Sequence, residues 1–175
     1  ADAALHPLAP GTGNRRHHVH TFGNLIESNF RIPSADYADL LKATSLLTRN
    51  HQDVLRAFRR MVFNVLAHNR DDHVKNFAFR LDDTTGEWSL TPAYDLLFTT
   101  GPGGEHTMTV AGEGRSPGLP HMRRLAEEAG VSYKEFSSIV GHVRAAVSRW
   151  SDHAERAGVT KTSAEDIAKS LAELT

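Results

Sequence analysis

Between Asn50 and His68 the apolar residues Val54, Leu55, Phe58, Met61, Val62, Val65 and Leu66 recur every three or four positions, the repeat that lines up one face of an α-helix. A chain with such a run must bury that face, so the remaining elements have to pack around it. Asn50, a cap-type residue, predicts where this helix begins, and the period breaks near His68. A helix is also predicted ahead of it, from an N-cap at Ser34 through Tyr37, Leu40, Leu41 and Leu47 to about Arg49. Downstream, helix is predicted over His121 to Ala129, closed by Gly130. Ser132 and Glu135 then form a capping box for a helix carrying Phe136, Ile139, Val140, Val143, Val147 and Trp150, predicted to continue to Ala157 before Gly158. A last helix is predicted from Thr162 or Ser163 over Ala164 to Leu174.

Only one region alternates as a strand does. Phe77, Phe79 and Leu81, turn residues from Asp82 to Gly86, and then Trp88 and Leu90 predict a short β-hairpin ending at Pro92. The fold class expected is therefore mainly α. Residues 1–14, rich in alanine, proline and glycine, read as a linker or the start of a fragment, residues 15–175 as one domain, and Arg15 to Phe30 as an irregular approach to the first helix. Gly101, Gly103, Gly104, Gly112, Gly114 and Gly118, with Pro117 and Pro120, predict a long loop of the kind usually tied to function.

Composition narrows the classes of function. With 39% hydrophobic and 23% charged residues, 175 residues suffice for a core, and a formal charge of -1 gives no electrostatic case for binding nucleic acid or an anionic membrane. The absence of cysteine excludes disulfides and thiolate metal sites and suits a cytoplasmic protein. No apolar run approaches the roughly 20 residues of a membrane span.

The polar break after the long helix, His68-Asn69-Arg70-Asp71-Asp72-His73, concentrates groups that carry chemistry. Asp71-x-x-x-x-Asn76 has the spacing of a protein-kinase catalytic loop, which lets a carboxylate that orients a hydroxyl and an amide that holds magnesium face one site. Asp95, at the far end of the hairpin, is placed to be the second metal ligand. With 11 aspartates and 7 asparagines in the chain, such a pair arises by chance roughly 0.4 times, so the motif needs its context. The competing reading is that Asp71, Asp72 and Asn76 are turn and capping residues.

The local words go further. Arg70-Asp71-Asp72-His73-Val74-Lys75-Asn76-Phe77 resembles the D-x-H-x-K-N catalytic loop of the HipA toxin family of serine/threonine kinases, and Leu90-Thr91-Pro92-Ala93-Tyr94-Asp95-Leu96 resembles its L-x-P-x-Y-D magnesium motif. His106 resembles the histidine that follows the family's glycine-rich loop. The resemblance implies a kinase-like helical C-terminal lobe whose hairpin carries the metal site, using ATP and Mg2+. It implies Asp71 as catalytic base, Asn76 and Asp95 as magnesium ligands, and Lys75, His73 and Tyr94 at the nucleotide side, with Lys75 meeting a phosphate, His73 bracing the loop and Tyr94 against the nucleotide. Asp72 has no role in that pattern and is expected to face solvent or cap the loop. The partners implied are a protein substrate, in well-understood members an aminoacyl-tRNA synthetase, and a DNA-binding antitoxin, with growth arrest as the outcome. The substrate is expected near Gly101 to Pro120.

Nothing in Ala1 to Arg31 resembles the family's phosphate-covering loop, ATP-binding lysine or hinge, and His20 and Thr21 stand where it usually has acidic residues. The chain is therefore expected to begin just after the hinge, and alone to bind ATP weakly without turnover. Two rivals compete: a metal-dependent phosphohydrolase or nuclease built on His68, Asp71, Asp72 and His73, and a non-catalytic interaction domain that binds an antitoxin.

Overall fold

The computed structural model describes residues 17–27 and 35–172; the linker at 1–14, the Ser34 cap and the end of the last helix beyond Ala172 lie outside them. Along the chain run strand β1 (His18–Thr21), a single helical turn α1 (Phe22–Leu25), helices α2 (Tyr37–Thr48) and α3 (His51–Leu66), strands β2 (Ala78–Leu81) and β3 (Trp88–Leu90), and helices α4 (Leu119–Glu128), α5 (Tyr133–Val147), α6 (Trp150–Arg156) and α7 (Lys161–Ala172). Over the described residues the protein is mainly helical, with one small antiparallel sheet ordered β1-β2-β3.

The amphipathic run does become the central helix. Asn50 caps α3 by accepting from Gln52 N at 2.9 Å, and Val54, Ala57, Phe58, Met61, Val62 and Val65 are all buried. Each large apolar side chain removed from water in this way contributes about 1.5–3 kcal/mol before conformational entropy is charged against it. Against this face pack Leu40 and Leu41 of α2 and Ile139, Val140 and Val143 of α5, with the rings of Phe58 and Phe136 6.1 Å apart. Phe79 and Leu90 add the sheet's inner face to the same core.

Several local expectations are corrected. The N-cap of α2 is Asp36, which accepts from Ala38 N at 2.8 Å and forms a capping box with Asp39. Within the stretch read as irregular, His18–Thr21 pairs with β2, Thr21 opposite Ala78 and His18 opposite Leu81. Thr21 then caps α1, and Phe22 N donates to Phe77 O at 2.8 Å, which ties this segment to the end of the 68–77 loop. The helix after Ser132 stops at Val147; a new one starts at Trp150, whose indole Nε1 donates to Ala164 O at 2.9 Å and turns α6 toward α7. Thr160, not Thr162 or Ser163, opens the last helix, its Oγ1 accepting from Ser163 N and its carbonyl from Ala164 N.

The hairpin is clamped from the helix side. Asp53, buried on α3, accepts from Leu90 N at 3.2 Å and from Arg56 Nη1 at 2.7 Å, so the strand leading to Asp95 has a fixed height along α3.

Candidate functional site

Helix α3 ends at Leu66, and His68 takes a left-handed backbone at φ 52°, which turns the chain off the helix axis. Asn69 N donates back to Asn64 O at 2.9 Å and Thr99 N donates to His68 O at 2.9 Å, fixing the exit of the loop. A 3-10 turn over Val74–Asn76 follows, with Asn76 N donating to His73 O at 2.8 Å. Gly23 of α1 sits so close over this turn that an added Cβ would lie 2.9 Å from Val74 Cγ2, so a larger residue there would have to displace Val74.

Within this loop Asp71 is half-exposed, and its Oδ1 lies 2.9 Å from His73 Nε2. The histidine thus contacts the carboxylate from within the same loop. Asn76 is buried and donates from Nδ2 to Asp71 O at 2.9 Å. This bond spends the amide nitrogen on the loop's own backbone and leaves the amide oxygen for other company. Asn76 and Asp95 line one small cavity together with Arg60, Asn64, Asn69, Asp72 and Tyr94. Asp71 is not in that wall; it stands beside it, joined through its carbonyl to Asn76. Asp95 holds a left-handed backbone at φ 55°, a conformation that costs a non-glycine residue on the order of 1 kcal/mol and that aspartate tolerates better than most.

Tyr94 donates its phenol to Lys75 O at 2.6 Å, linking the hairpin's end directly to the loop, and the residue is 41% exposed. Burial raises its pKa, the Arg60 charge opposes that rise, and Asp95 adds to it. Lys75 is exposed on the outer side of the 3-10 turn. Arg60 donates to Thr91 O while its Nη1 is buried without a protein partner, and burial holds its pKa below the usual value. Arg60 is a residue that the sequence reading missed, since on α3 it reads as an ordinary surface arginine.

Asp72 does not take the first of its two expected places, facing solvent or capping the loop. It is 0% exposed rather than solvent-facing. Its Oδ2 accepts from Tyr37 Oη at 2.7 Å and faces His106 Nδ1 at 2.9 Å, and its Oδ1 accepts from Thr107 N at 2.8 Å and Met108 N at 3.3 Å. Tyr37 in turn accepts from Asn64 Nδ2 at 2.8 Å, and Asn64 Oδ1 from Asn69 Nδ2 at 3.0 Å. Burial first, and then the Asp72 carboxylate, push the Tyr37 phenol well above its ordinary pKa, so it remains a donor.

The glycine-rich stretch is held at several points. Arg70 donates to Gly104 O at 2.6 Å and Thr100 O at 3.2 Å, while Asp36 accepts from Thr109 Oγ1 at 2.6 Å and Gly112 N at 2.8 Å. Gly101 has φ +73°, and a Cβ there would lie 2.8 Å from Arg70 Cβ and closer still to Glu105 O.

The four residues of the phosphohydrolase rival do not converge on one point. His68 stacks on Phe98, Asp72 faces α2 and His106, and Asp71 pairs with His73. Among the described residues no group of three or more histidine, aspartate or glutamate side chains is arranged to hold a metal ion. Among them, too, no helix is long and apolar enough to cross a membrane. Asn76 and Asp95, which line one wall, carry oxygen groups of the hard kind that magnesium prefers, and two protein ligands suit an ion whose other positions go to phosphates and water.

Comparison with known proteins agrees with this architecture. The model of the HipA-like C-terminal domain family matches residues 6–150. No curated protein matches the chain. Among solved structures, the chain is similar to HipA of Shewanella oneidensis MR-1, determined in complex with HipB and its operator DNA, with a TM-score of 0.66 at 14% identity. The match covers 93% of this chain and 43% of that one, so the chain spans less than half the length of its structural relative.

Proposed function

The chain belongs to the HipA-like C-terminal domain family, and from that premise we propose that it is the catalytic-loop part of a serine/threonine protein kinase. The reaction proposed is transfer of the γ-phosphate of ATP to a protein hydroxyl. The observation that carries the reading is the meeting of Asn76 and Asp95 on one cavity wall, with Asn76 bonded to the backbone of Asp71.

Asp71 accepts the proton of the attacking hydroxyl; His73 fixes one carboxylate oxygen and leaves Oδ2 for that task. Asn76 would hold magnesium through its amide oxygen and Asp95 through its carboxylate; ATP would supply the phosphoryl group and the ion would offset its charge. Lys75 meets a phosphate from the exposed side of the turn, and the Tyr94 ring lies against the nucleotide while its phenol holds the hairpin to the loop. The acceptor protein docks near the 101–120 segment, whose Gly101 to Gly104 stretch Arg70 fastens to the loop beside Asp71. In the cell this reading makes the protein a cytoplasmic toxin that arrests growth. An aminoacyl-tRNA synthetase is a candidate substrate, and a DNA-binding antitoxin is the partner, by analogy with the HipB bound to the Shewanella protein.

Labelled-ATP transfer to serine or threonine, measured in a polypeptide that also carries a phosphate-covering lobe, tests this. Asp71→Asn is expected to lower kcat by roughly 10²–10⁴-fold, and magnesium is expected to bind only with ATP present. Transfer that survives both Asp71→Asn and Asp95→Asn overturns the site assigned here, and absence of transfer in the unsubstituted protein overturns the kinase reading. Absent transfer with antitoxin binding intact leaves an interaction module instead.

A further inference from the structure

We propose that Asp72, acting with His106, is a positioning residue that sets where Asp71 stands; the proposal rests on the kinase reading and adds the group that makes its base geometrically definite. The two neighbouring aspartates face opposite environments. The Asp71 side chain is 39% exposed, whereas that of Asp72 is 0% exposed and takes four hydrogen bonds. A carboxylate cut off from water is tolerated only when its oxygens are bonded, so Asp72 can occupy its cage in essentially one orientation. Asp71 and Asp72 share a planar peptide unit, so anchoring Asp72 restrains the backbone from which Asp71 projects.

The other flank of Asp71 is gripped by the same segment. Arg70 O accepts from Thr107 N at 3.2 Å and Thr107 Oγ1 at 3.0 Å, while Thr107 N also serves Asp72 Oδ1. Residues 106–108 thus hold the position before the base and the position after it, and the base projects from between them. His106 belongs at the same time to the glycine-rich loop, where its own N–H donates to Gly114 O at 2.8 Å. The loop that carries Asp71 and the glycine-rich segment are consequently joined through the buried contact of His106 with Asp72. A displacement of that segment moves the base.

The assay is the transfer reaction above, run on Asp72→Asn, His106→Ala, His106→Asn and Asp71→Asn/Asp72→Asn. Asp72→Asn is expected to lower kcat about 10- to 100-fold with the KM for ATP unchanged, the size of effect that a misplacement near 1 Å produces. His106→Ala is expected to fall alongside it. His106→Asn, whose side-chain N–H takes the place of Nδ1, is expected to recover most of the rate. The double variant is expected to be no slower than Asp71→Asn alone, because a group that works only through Asp71 has nothing left to position. If Asp72→Asn does not fold, the two His106 variants carry the test. Wild-type kcat in Asp72→Asn and His106→Ala, equal loss in both His106 variants, or a further loss on the Asp71→Asn background overturns the proposal. An Asp71→Asn protein with full activity removes Asp71 as the base and this proposal with it. Loss in Asp71→Asn with full activity in Asp72→Asn removes only the positioning role.

Discussion

Replacing Asp36 by alanine should open the glycine-rich loop as well as fray α2. The side chain has two separable duties. Its Oδ1 caps the helix through Ala38 N and reaches Ala111 N at 3.3 Å; its Oδ2 takes Thr109 Oγ1 and Gly112 N. Loss of an N-cap costs about 1 kcal/mol, and each hydrogen bond to a charged group contributes about 1–2 kcal/mol less whatever water restores at this half-buried site. The sum expected for Asp36→Ala is about 2–4 kcal/mol in chemical denaturation. Asp36→Asn divides it: the amide keeps an acceptor for the cap but turns an N–H toward Thr109 and Gly112, so α2 should stay protected in hydrogen exchange while 109–113 opens. A loss below about 0.5 kcal/mol for alanine, or equal opening of helix and loop in Asp36→Asn, would refute the two-duty account.

Three further outcomes follow from described contacts. Tyr37→Phe removes a donor from Asp72 and leaves Asn64 Nδ2 without its acceptor, and should cost about 1–3 kcal/mol in equilibrium unfolding. Gly101→Ala meets both a left-handed backbone and the approach to Arg70, so it should raise hydrogen exchange over 99–105 while the core helices keep their protection. Glu135, whose bonds to Ser132 and to His51 pull its pKa down to about 2, stabilises the protein above the ordinary carboxylate range. That share is lost as pH falls from about 4.5 toward 2, so Glu135→Gln should flatten the melting temperature across that window.

What was legible in the sequence is what adjacent residues decide. The face of α3, its Asn50 cap, the Ser132 box and the hairpin around Asp82 to Gly86 each depend on residues within a few positions of one another. The grouping of Asn76 with Asp95 followed from a motif whose hairpin returns the chain to its start. Asp72 was misjudged because its partners Tyr37 and His106 lie 35 and 34 residues away, and nothing beside it in the chain signals burial. Strand β1 was missed for a related reason: His18-Val19-His20-Thr21 has no apolar alternation, and its extended form is imposed by pairing with β2. The break between α5 and α6 carries no glycine or proline, since the bond of Trp150 to Ala164 O comes from another helix.

The pairing of β1 with β2 also orders assembly. Thr21 meets Ala78 only across the whole helical pair α2 and α3, so closing that contact early would cost the entropy of a long loop with few bonds in return. The helical pair and the β2-β3 ribbon, being local, are free to form first and present a finished edge. Pulse labelling during refolding should therefore find the amides of 18–21 shielded last, which makes the small sheet a clasp fastened over a core already built.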